Sequence, residues 1–331
     1  MGVSIYNTPL NDQLKTEYLD FLRSAGLRDE GDADIIALMT DDEGTIAATG
    51  ALAGNTIKQL AVAPKAEGQG LMAELLSAII GEAADRGIFR LFLCTKPDNR
   101  RMFASMGFYP VVEISDAVLM ENRRDGAERF LASFPRHEGL CGAVVCNCDP
   151  FTLGHRHLIE YAAGHCDSLY VFAVSERGSF FTPEERLEMI RRGTEDIANC
   201  YVYESDLYLI SRATFPAYFI KDTAHAEEVK ADLDIEFFAG RIAPALGITA
   251  RFVGEEPLDE VTRAYNERMK ELLPQRGIRL EEIPRLKTGE GDDAEVVSAS
   301  RVRALIKEGK TESIRELVPE TTYEIISRKF N

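Results

Sequence analysis

The chain has no tryptophan and only five histidines, and it lacks the features that mark several classes of protein. It carries 38 lysines and arginines against 55 aspartates and glutamates, so its formal charge is −17. A protein that binds nucleic acid through its phosphates needs a basic surface, and we therefore expect no nucleic-acid partner. No apolar run approaches the roughly 20 residues of a membrane-spanning helix, and we expect no membrane segment.

The first residues also lack the basic and apolar stretches of a secretory signal peptide, which predicts a cytoplasmic protein. Six cysteines lie in or beside apolar runs, and we expect reduced thiols rather than disulfides. Cys146 and Cys148 form a C-x-C pair, but zinc sites in proteins need further ligands and no second pair lies near it. We therefore expect no protein-held metal.

The length of 331 residues exceeds one ordinary domain, and a charged stretch at 122–139 predicts two domains, 1–130 and 131–331. In the first, alternating residues at 45–64 predict two antiparallel strands, and apolar spacing from Leu71 predicts a long helix. In the second, apolar strands without alternation are spaced by helical patterns, which is typical of a parallel sheet covered on both faces. Its strands are predicted at residues 142–147, 168–174, 235–239, 250–254 and 278–283.

The stretch DPFTLGH, residues 149–155, lies where a predicted buried strand gives way to a helix. Ligands of open α/β sheets bind beyond the carboxyl ends of the strands, and a helix N-terminus there attracts anions. Thr152 and His155 can donate hydrogen bonds to phosphate oxygens, and Gly154 would let a flat ring such as adenine approach the backbone. The motif predicts a nucleotide site.

A second motif, VVSASRVRALI, places Ser298, Ser300 and Arg303 at the start of another helix. Hydroxyl groups at a helix N-terminus, with an arginine one turn later, are suited to clamp phosphate groups. Two such motifs, about 140 residues apart, predict that both helix tips meet around one polyphosphate chain.

Together the two motifs resemble the (H/T)xGH and ISSTxxR signatures of the nucleotidyltransferase superfamily, whose fold is a Rossmann-like doubly wound parallel sheet. The resemblance implies that ATP is bound and attacked at its α-phosphate, with Mg²⁺ held mainly by the phosphates. It implies catalytic roles for Thr152, His155, Ser300 and Arg303. Further ATP contacts are expected in or beside the matching stretches, at Asn147, Asp149, Phe151, Gly154, Arg186, Arg212, Arg251 and Ser298.

The first half contains IKQLAVAPKAEGQGLMAELL, which resembles the acetyl-CoA loop of the GNAT acetyltransferases. The backbone N–H groups of Gly68, Gln69 and Gly70 would face a pyrophosphate at a helix N-terminus. The later stretch NRRMFASMGFYPV resembles another GNAT segment, in which Asn99 and Phe103 match the family pattern. These five residues are expected to bind a CoA-like arm.

A GNAT-like domain followed by a nucleotidyltransferase domain resembles the citrate lyase ligases, as do LISRATFPAYFIKD and the stretch 248–274. The fold class predicted is accordingly α/β, with the GNAT-like domain first and the Rossmann-like domain second. The resemblance implies an ATP-dependent acid–thiol ligase that converts acetate to acetyl-adenylate. Its acceptor would be the thiol of a phosphoribosyl-dephospho-CoA group on the acyl-carrier subunit of citrate lyase, with AMP and pyrophosphate released.

Two other functions stay open on the sequence. One is a plain adenylyltransferase that acts on a phosphorylated metabolite of the phosphopantetheine or nicotinamide mononucleotide type. The other is a non-catalytic regulatory protein that senses CoA or nucleotides. Glu67 and Met72 depart from the GNAT loop pattern, and a carboxylate beside a pyrophosphate is repulsive, which favours that second alternative.

Overall fold

The computed structural model describes residues 2–175, 179–209, 217–257, 259–288 and 295–330. The chain divides into two compact units. The first unit holds Met1–Arg129 and Thr214–Glu236, and the second holds Phe130–Ala213 and Phe237–Asn331. The segment that ends at Glu236 is thus separated in sequence from the rest of the first unit. None of the described helices has the length and apolar character needed to cross a bilayer.

The first unit is built on a seven-stranded sheet whose order is β1-β2-β3-β4-β5-β7-β6. Neighbouring strands are antiparallel except β4 and β5, which are parallel. Its strands are β1 (Val3–Asn7), β2 (Ile35–Thr40), β3 (Ile46–Ala53), β4 (Thr56–Val62), β5 (Phe92–Thr95), β6 (Tyr109–Glu113) and β7 (Val118–Glu121). The helices that begin within residues 1–129 are α1 (Asp12–Ser24), α2 (Leu71–Asp85), α3 (Arg100–Ser105) and α4 (Gly126–Ala132).

The strands and the long helix predicted from the sequence of the first unit are confirmed. Strands β3 and β4 pair in antiparallel fashion, and β4 ends two residues before Pro64. Helix α2 buries Leu75, Ile79 and Ala83, which lie at helical spacing on one face. Burying that apolar face against the sheet stabilises the helix far more than its intrinsic propensity does.

Strands β4 and β5 separate soon after they begin. In the described chain they pair only at Thr56↔Phe92 and Ile57↔Leu93, whereas residues 94–95 of β5 pair on their other side with β7. Gln59 of β4 has a left-handed backbone (φ 55°), and the register with β3 shifts beside it. We call the gap between residues 58–62 of β4 and 94–95 of β5 the β4–β5 opening.

The second unit is built on a five-stranded parallel sheet whose order is β10-β9-β8-β11-β12. Its strands are β8 (Cys141–Cys146), β9 (Ser168–Ala173), β10 (Cys200–Glu204), β11 (Ile248–Gly254) and β12 (Arg279–Ile283), with the short hairpin β13 (Lys287–Thr288) and β14 (Glu295–Val296). The helices that follow α4 are α5 (Leu153–Ala163), α6 (Pro183–Gly193), α7 (Thr223–Phe237), α8 (Ala243–Leu246), α9 (Glu260–Leu272), α10 (Ala299–Lys307) and α11 (Glu320–Phe330). Of these, α7 belongs to the first unit as far as Glu236. The chain order reverses between β8 and β11, as in a doubly wound sheet, and the predicted α/β class is confirmed.

The strand predicted at residues 235–239 is wrong. This stretch forms the end of α7 and the start of a π-helical segment, Phe238–Ile242. Its aromatic and branched residues have a high intrinsic preference for strands. The preceding residues Ala226, Val229 and Leu233 are buried at helical spacing, and the helix that they form continues into this stretch. Helix α6 begins at a capping box, in which Thr182 and Glu185 bond to each other's backbone N–H groups, as the spacing T-x-x-E favours.

Candidate nucleotide-binding site

A cavity of about 340 Å³ lies at the carboxyl ends of β8 and β11, where the strand order of the second sheet reverses. This is the position at which doubly wound sheets bind ligands. Its wall is formed by the ends of β8, β11 and β12, the turn before α5, and the start of α10. The lining residues taken from the predicted site are Asn147, Asp149, Thr152, Gly154, His155 and Arg303.

Thr152 and His155 form a capping box at the start of α5. The Thr152 side chain caps the His155 N–H, and His155 Nδ1 accepts a hydrogen bond of 3.0 Å from the Thr152 N–H. A ring nitrogen that accepts from an amide carries no proton, so the proton of the neutral ring lies on Nε2. His155 therefore keeps Nε2–H as a donor for a ligand in the cavity.

Burial, together with the positive charge of Arg285, lowers the pKa of His155 to about 4. At neutral pH the ring is therefore uncharged, which agrees with its role as an acceptor toward Thr152. A neutral imidazole donates a hydrogen bond to phosphate without being a counter-ion. The cations that line this cavity are Arg285 and Arg303.

The lowered pKa of His155 predicts a loss of stability in acid. Its contribution is fully present above the ordinary value of 6.5 and is lost as the pH falls toward 4, because only the unfolded chain is protonated in that window. We expect the free-energy difference between wild type and His155→Gln to shrink between about pH 7.5 and about pH 4.5 in urea unfolding. A difference that stays constant over this range would contradict the assignment.

Gly154 brings the two predicted signatures together. A Cβ atom at this position would lie 3.1 Å from the carbonyl oxygen of Val297 and 3.8 Å from its Cβ. Val297 directly precedes Ser298, which caps α10 by accepting a hydrogen bond of 3.2 Å from the Arg301 N–H. The absent side chain of Gly154 thus leaves room for the second signature, and the space where a Cβ would stand is not open to an adenine ring.

Arg303 binds the turn of the first signature. Its Nη1 donates to the carbonyl oxygen of Asp149, and its Nη2 donates to Ser300 Oγ at 3.1 Å. The guanidinium lines the cavity, whereas Ser298 and Ser300 lie outside the lining. Arg303 thus lines the same cavity as Thr152 and His155. Of the two serines, Ser298 caps α10 and Ser300 accepts a hydrogen bond from Arg303.

Asp149 is nine-tenths buried, and its hydrogen bonds connect three segments of the chain at the cavity wall. Its carboxylate accepts hydrogen bonds from the backbone N–H groups of Phe180, at 3.0 Å, and Phe181, at 2.8 Å. Its carbonyl oxygen accepts from Arg303. Asp149 therefore ties the first signature both to the second signature and to the chain after β9.

Three other predicted ATP contacts lie away from the cavity. Phe151 is fully buried in the core of the second unit, with its ring against Gly193. Arg251 is buried on β11, with its guanidinium 4.5 Å from the Phe238 ring. Arg186 is buried and donates to the backbone and side-chain oxygens of Asn147, so it acts through a residue that does line the cavity. Arg212 lies outside the described residues.

The sequence did not predict the wall opposite the signatures. Asn266 donates 3.0 Å to the Gly254 carbonyl oxygen, and Arg285 donates 2.6 Å to the Glu255 carbonyl oxygen and pairs with the Glu256 carboxylate. The further lining residues on that wall and beside His155 are His157, Glu256, Thr262, Asn266 and Arg285. The sequence offered one signal for this wall, which is that Glu256 and Arg285 each follow a predicted strand, at 250–254 and 278–283.

The predicted arm-binding residues of the first unit lie in two places. Gly68 and Gly70 have left-handed backbones, and Gly70 is the residue before α2, so this loop does open a helix N-terminus. Asn99 donates 3.0 Å to Thr95 Oγ1 at the end of β5, while Phe103 is buried in the core. Gln69 lies between the two glycines.

Among the described residues, no group of three or more histidine, cysteine, aspartate or glutamate side chains is arranged to hold a metal ion. The two carboxylates that line the cavity are both engaged, Asp149 with backbone amides and Glu256 with Arg285. The described side chains therefore do not fit a protein-held Mg²⁺. A magnesium ion at this site would be carried by the phosphates of the nucleotide.

Comparison with known proteins identifies the family of the chain. A family model described as the citrate lyase ligase C-terminal domain matches residues 141–326, and one described as the acetyltransferase (GNAT) family matches residues 4–108. The citrate (pro-3S)-lyase ligase of Klebsiella pneumoniae is 40% identical over 322 residues, which are 95% of this chain and 93% of the relative. The enzyme of that name from Escherichia coli K12 is 38% identical over 315 residues, or 92% of this chain and 88% of the relative. With its N-terminal acetyltransferase-type sheet and its C-terminal parallel sheet, the chain belongs to the citrate lyase ligase family.

Proposed function

We propose that this chain is a citrate (pro-3S)-lyase ligase, an enzyme that uses ATP to acetylate the acyl-carrier subunit of citrate lyase. The observation that carries the proposal is the single cavity at the switch point of the second sheet, which His155 of one signature and Arg303 of the other both line. The family membership of the whole chain supports it.

The second unit would form acetyl-adenylate. A carboxylate oxygen of acetate attacks the α-phosphorus of ATP, the bond to the bridging oxygen breaks, and that oxygen leaves with pyrophosphate. The protein forms no covalent bond in this step. It must align acetate with the α-phosphorus and neutralise the negative charge that develops on the phosphates. His155 Nε2–H donates to a phosphate oxygen, and Arg303, fixed by Asp149 and Ser300, supplies positive charge.

Thr152 and Gly154 would act by placing these groups. Thr152 is 1% exposed, and its hydroxyl and N–H both lie against His155 Nδ1, which sets the ring orientation and leaves the Nε2–H directed to the ligand. Gly154 lets the α10 tip approach α5. In addition, the positive ends of the α5 and α10 dipoles favour negative charge at these helix starts.

The first unit would receive the CoA-like arm of the acyl carrier. The loop 68–70 opens α2 and offers backbone N–H groups to a pyrophosphate. The thiol of the arm then attacks the acetyl carbon of acetyl-adenylate, the bond to AMP breaks, and the thiol proton passes to solvent. This places an acetyl thioester on the carrier and releases AMP.

Exchange of labelled pyrophosphate into ATP tests the proposal directly. We expect exchange that requires acetate and needs no acyl carrier, because acetyl-adenylate forms before the thiol reacts. Exchange that requires a phosphorylated acceptor instead of acetate would assign the site to a plain adenylyltransferase. No exchange with any acid or acceptor would favour the non-catalytic sensor.

A further inference from the structure

Tyr218 fills the β4–β5 opening of the first unit. Its side chain is buried, with 4% of its surface exposed, and its hydroxyl donates 3.4 Å to the carbonyl oxygen of Cys94 in β5. Burial raises the pKa of this hydroxyl, and hydrogen bonds from the backbone N–H groups of Leu60 and Gln59 in β4 act in the opposite direction. One phenol group therefore connects strands that no longer pair with each other.

The backbone around Tyr218 holds it in this position. The Arg28 N–H donates 2.9 Å to the Tyr218 carbonyl oxygen, and Arg28 Nη2 donates 3.2 Å to that of Ala217. The Ile220 N–H closes a turn by bonding to the Ala217 carbonyl oxygen at 3.0 Å. Ala217 is 1% exposed, so the turn itself is buried.

Without the Tyr218 side chain, the opening would present unpaired backbone groups from two strands. Such groups bind extended chains that contain amides, because these supply the missing ladder hydrogen bonds. The glycine loop 68–70 follows the carboxyl end of β4, at Val62, within eight residues. A CoA-like arm with its pyrophosphate at this loop and its amides in the opening would compete with Tyr218 for the same groups.

We infer that Tyr218 is a specificity-determining residue that closes the opening to free CoA-type thiols. The inference rests on the proposed function of the first unit, since it concerns which acceptors that unit takes. A small free thiol must displace a buried aromatic ring and replace its hydrogen bonds, so its net affinity is low. An arm delivered by a carrier protein gains additional contact area from that protein, which offsets the displacement.

Calorimetric titration with CoA of the full-length wild type and of Tyr218→Ala measures the effect of the ring. We expect the alanine variant to bind CoA at least about tenfold more tightly than the wild type. Tyr218→Phe keeps the ring in place and is expected to stay within about threefold of the wild type. Tyr6→Ala, the same truncation on the edge strand β1, serves as the matched control and should change nothing.

Unchanged CoA affinity in a folded Tyr218→Ala protein would overturn the inference, as would an equal gain in Tyr218→Phe. Should the alanine variant fail to fold, Tyr218→Leu keeps the apolar contact, shortens the side chain and is expected to show the same direction of change. These are equilibrium measurements of CoA binding, so their outcome does not depend on catalytic activity. Acetate-dependent pyrophosphate exchange by the wild type tests the adenylating site separately.

Discussion

Replacement of His155 by alanine is expected to lower the rate of acetate-dependent pyrophosphate exchange several hundredfold. The variant loses the His155 Nε2–H, which we propose donates to a phosphate oxygen in the cavity. One well-placed donor contributes about 3–4 kcal/mol to the stabilisation of developing charge. The measurement is the initial exchange rate at saturating ATP and acetate.

The His155→Ala variant also loses half of a capping box, and two controls separate that effect from catalysis. Thr152→Ala removes the side-chain oxygen of the cap while keeping the imidazole, and the lost cap costs about 1 kcal/mol of stability. His165→Ala removes an exposed histidine two residues beyond the end of α5, stacked on Tyr161, and should leave exchange unchanged. A His155→Ala enzyme that retains more than about a tenth of the wild-type rate would contradict the assigned role.

Replacement of Arg303 by alanine is expected to reduce exchange about a hundredfold or more. The variant loses a cation in the cavity and also the bond that joins α10 to the Asp149 carbonyl oxygen. Arg303→Lys restores the charge but not the two-pronged contact with Asp149 and Ser300, so we expect it to recover only part of the rate. Exchange rates across a series of ATP concentrations separate weaker binding from slower chemistry.

The matched control for Arg303 is Arg301→Ala on the same turn of α10. Arg301 pairs with Glu295 and lies outside the cavity lining, so its loss removes an equal charge without touching the proposed site. Equal losses in the two variants would mean that net charge alone, and not the position of Arg303, governs the reaction.

The sequence predicted the parts of this protein that depend on local signals. The capping box of Thr182 and Glu185 at the start of α6 follows from residue type and spacing. Thr152, which the sequence predicted as a phosphate contact, instead caps α5 together with His155. His155 and Arg303 line one cavity, although α10 follows the hairpin β13–β14 and not a strand of the parallel sheet. That a polyphosphate lies between them stays a prediction.

The parts that the sequence did not predict depend on partners distant in the chain. Arg285 reaches the cavity just after β12, and Asn266 reaches it from the middle of α9. Asn266 lies in the stretch 248–274 that resembles the family, but no signature or periodic pattern marked either residue. Arg186 and Arg251 have the residue type of a phosphate contact, yet packing buries both. Residue type predicts what a side chain can bind, but only the tertiary structure decides whether a ligand can reach it.

The interrupted path of the chain through its two units has a consequence for synthesis on the ribosome. The first unit includes a segment that ends at Glu236, and Tyr218 in that segment connects β4 with β5. Its sheet can pair once β7 has been translated, at Glu121, but the unit is complete only about a hundred residues later. We therefore expect the sheet of the first unit to keep an uncovered β4–β5 opening in the nascent chain until Tyr218 has been translated, when much of the second unit is still to be made.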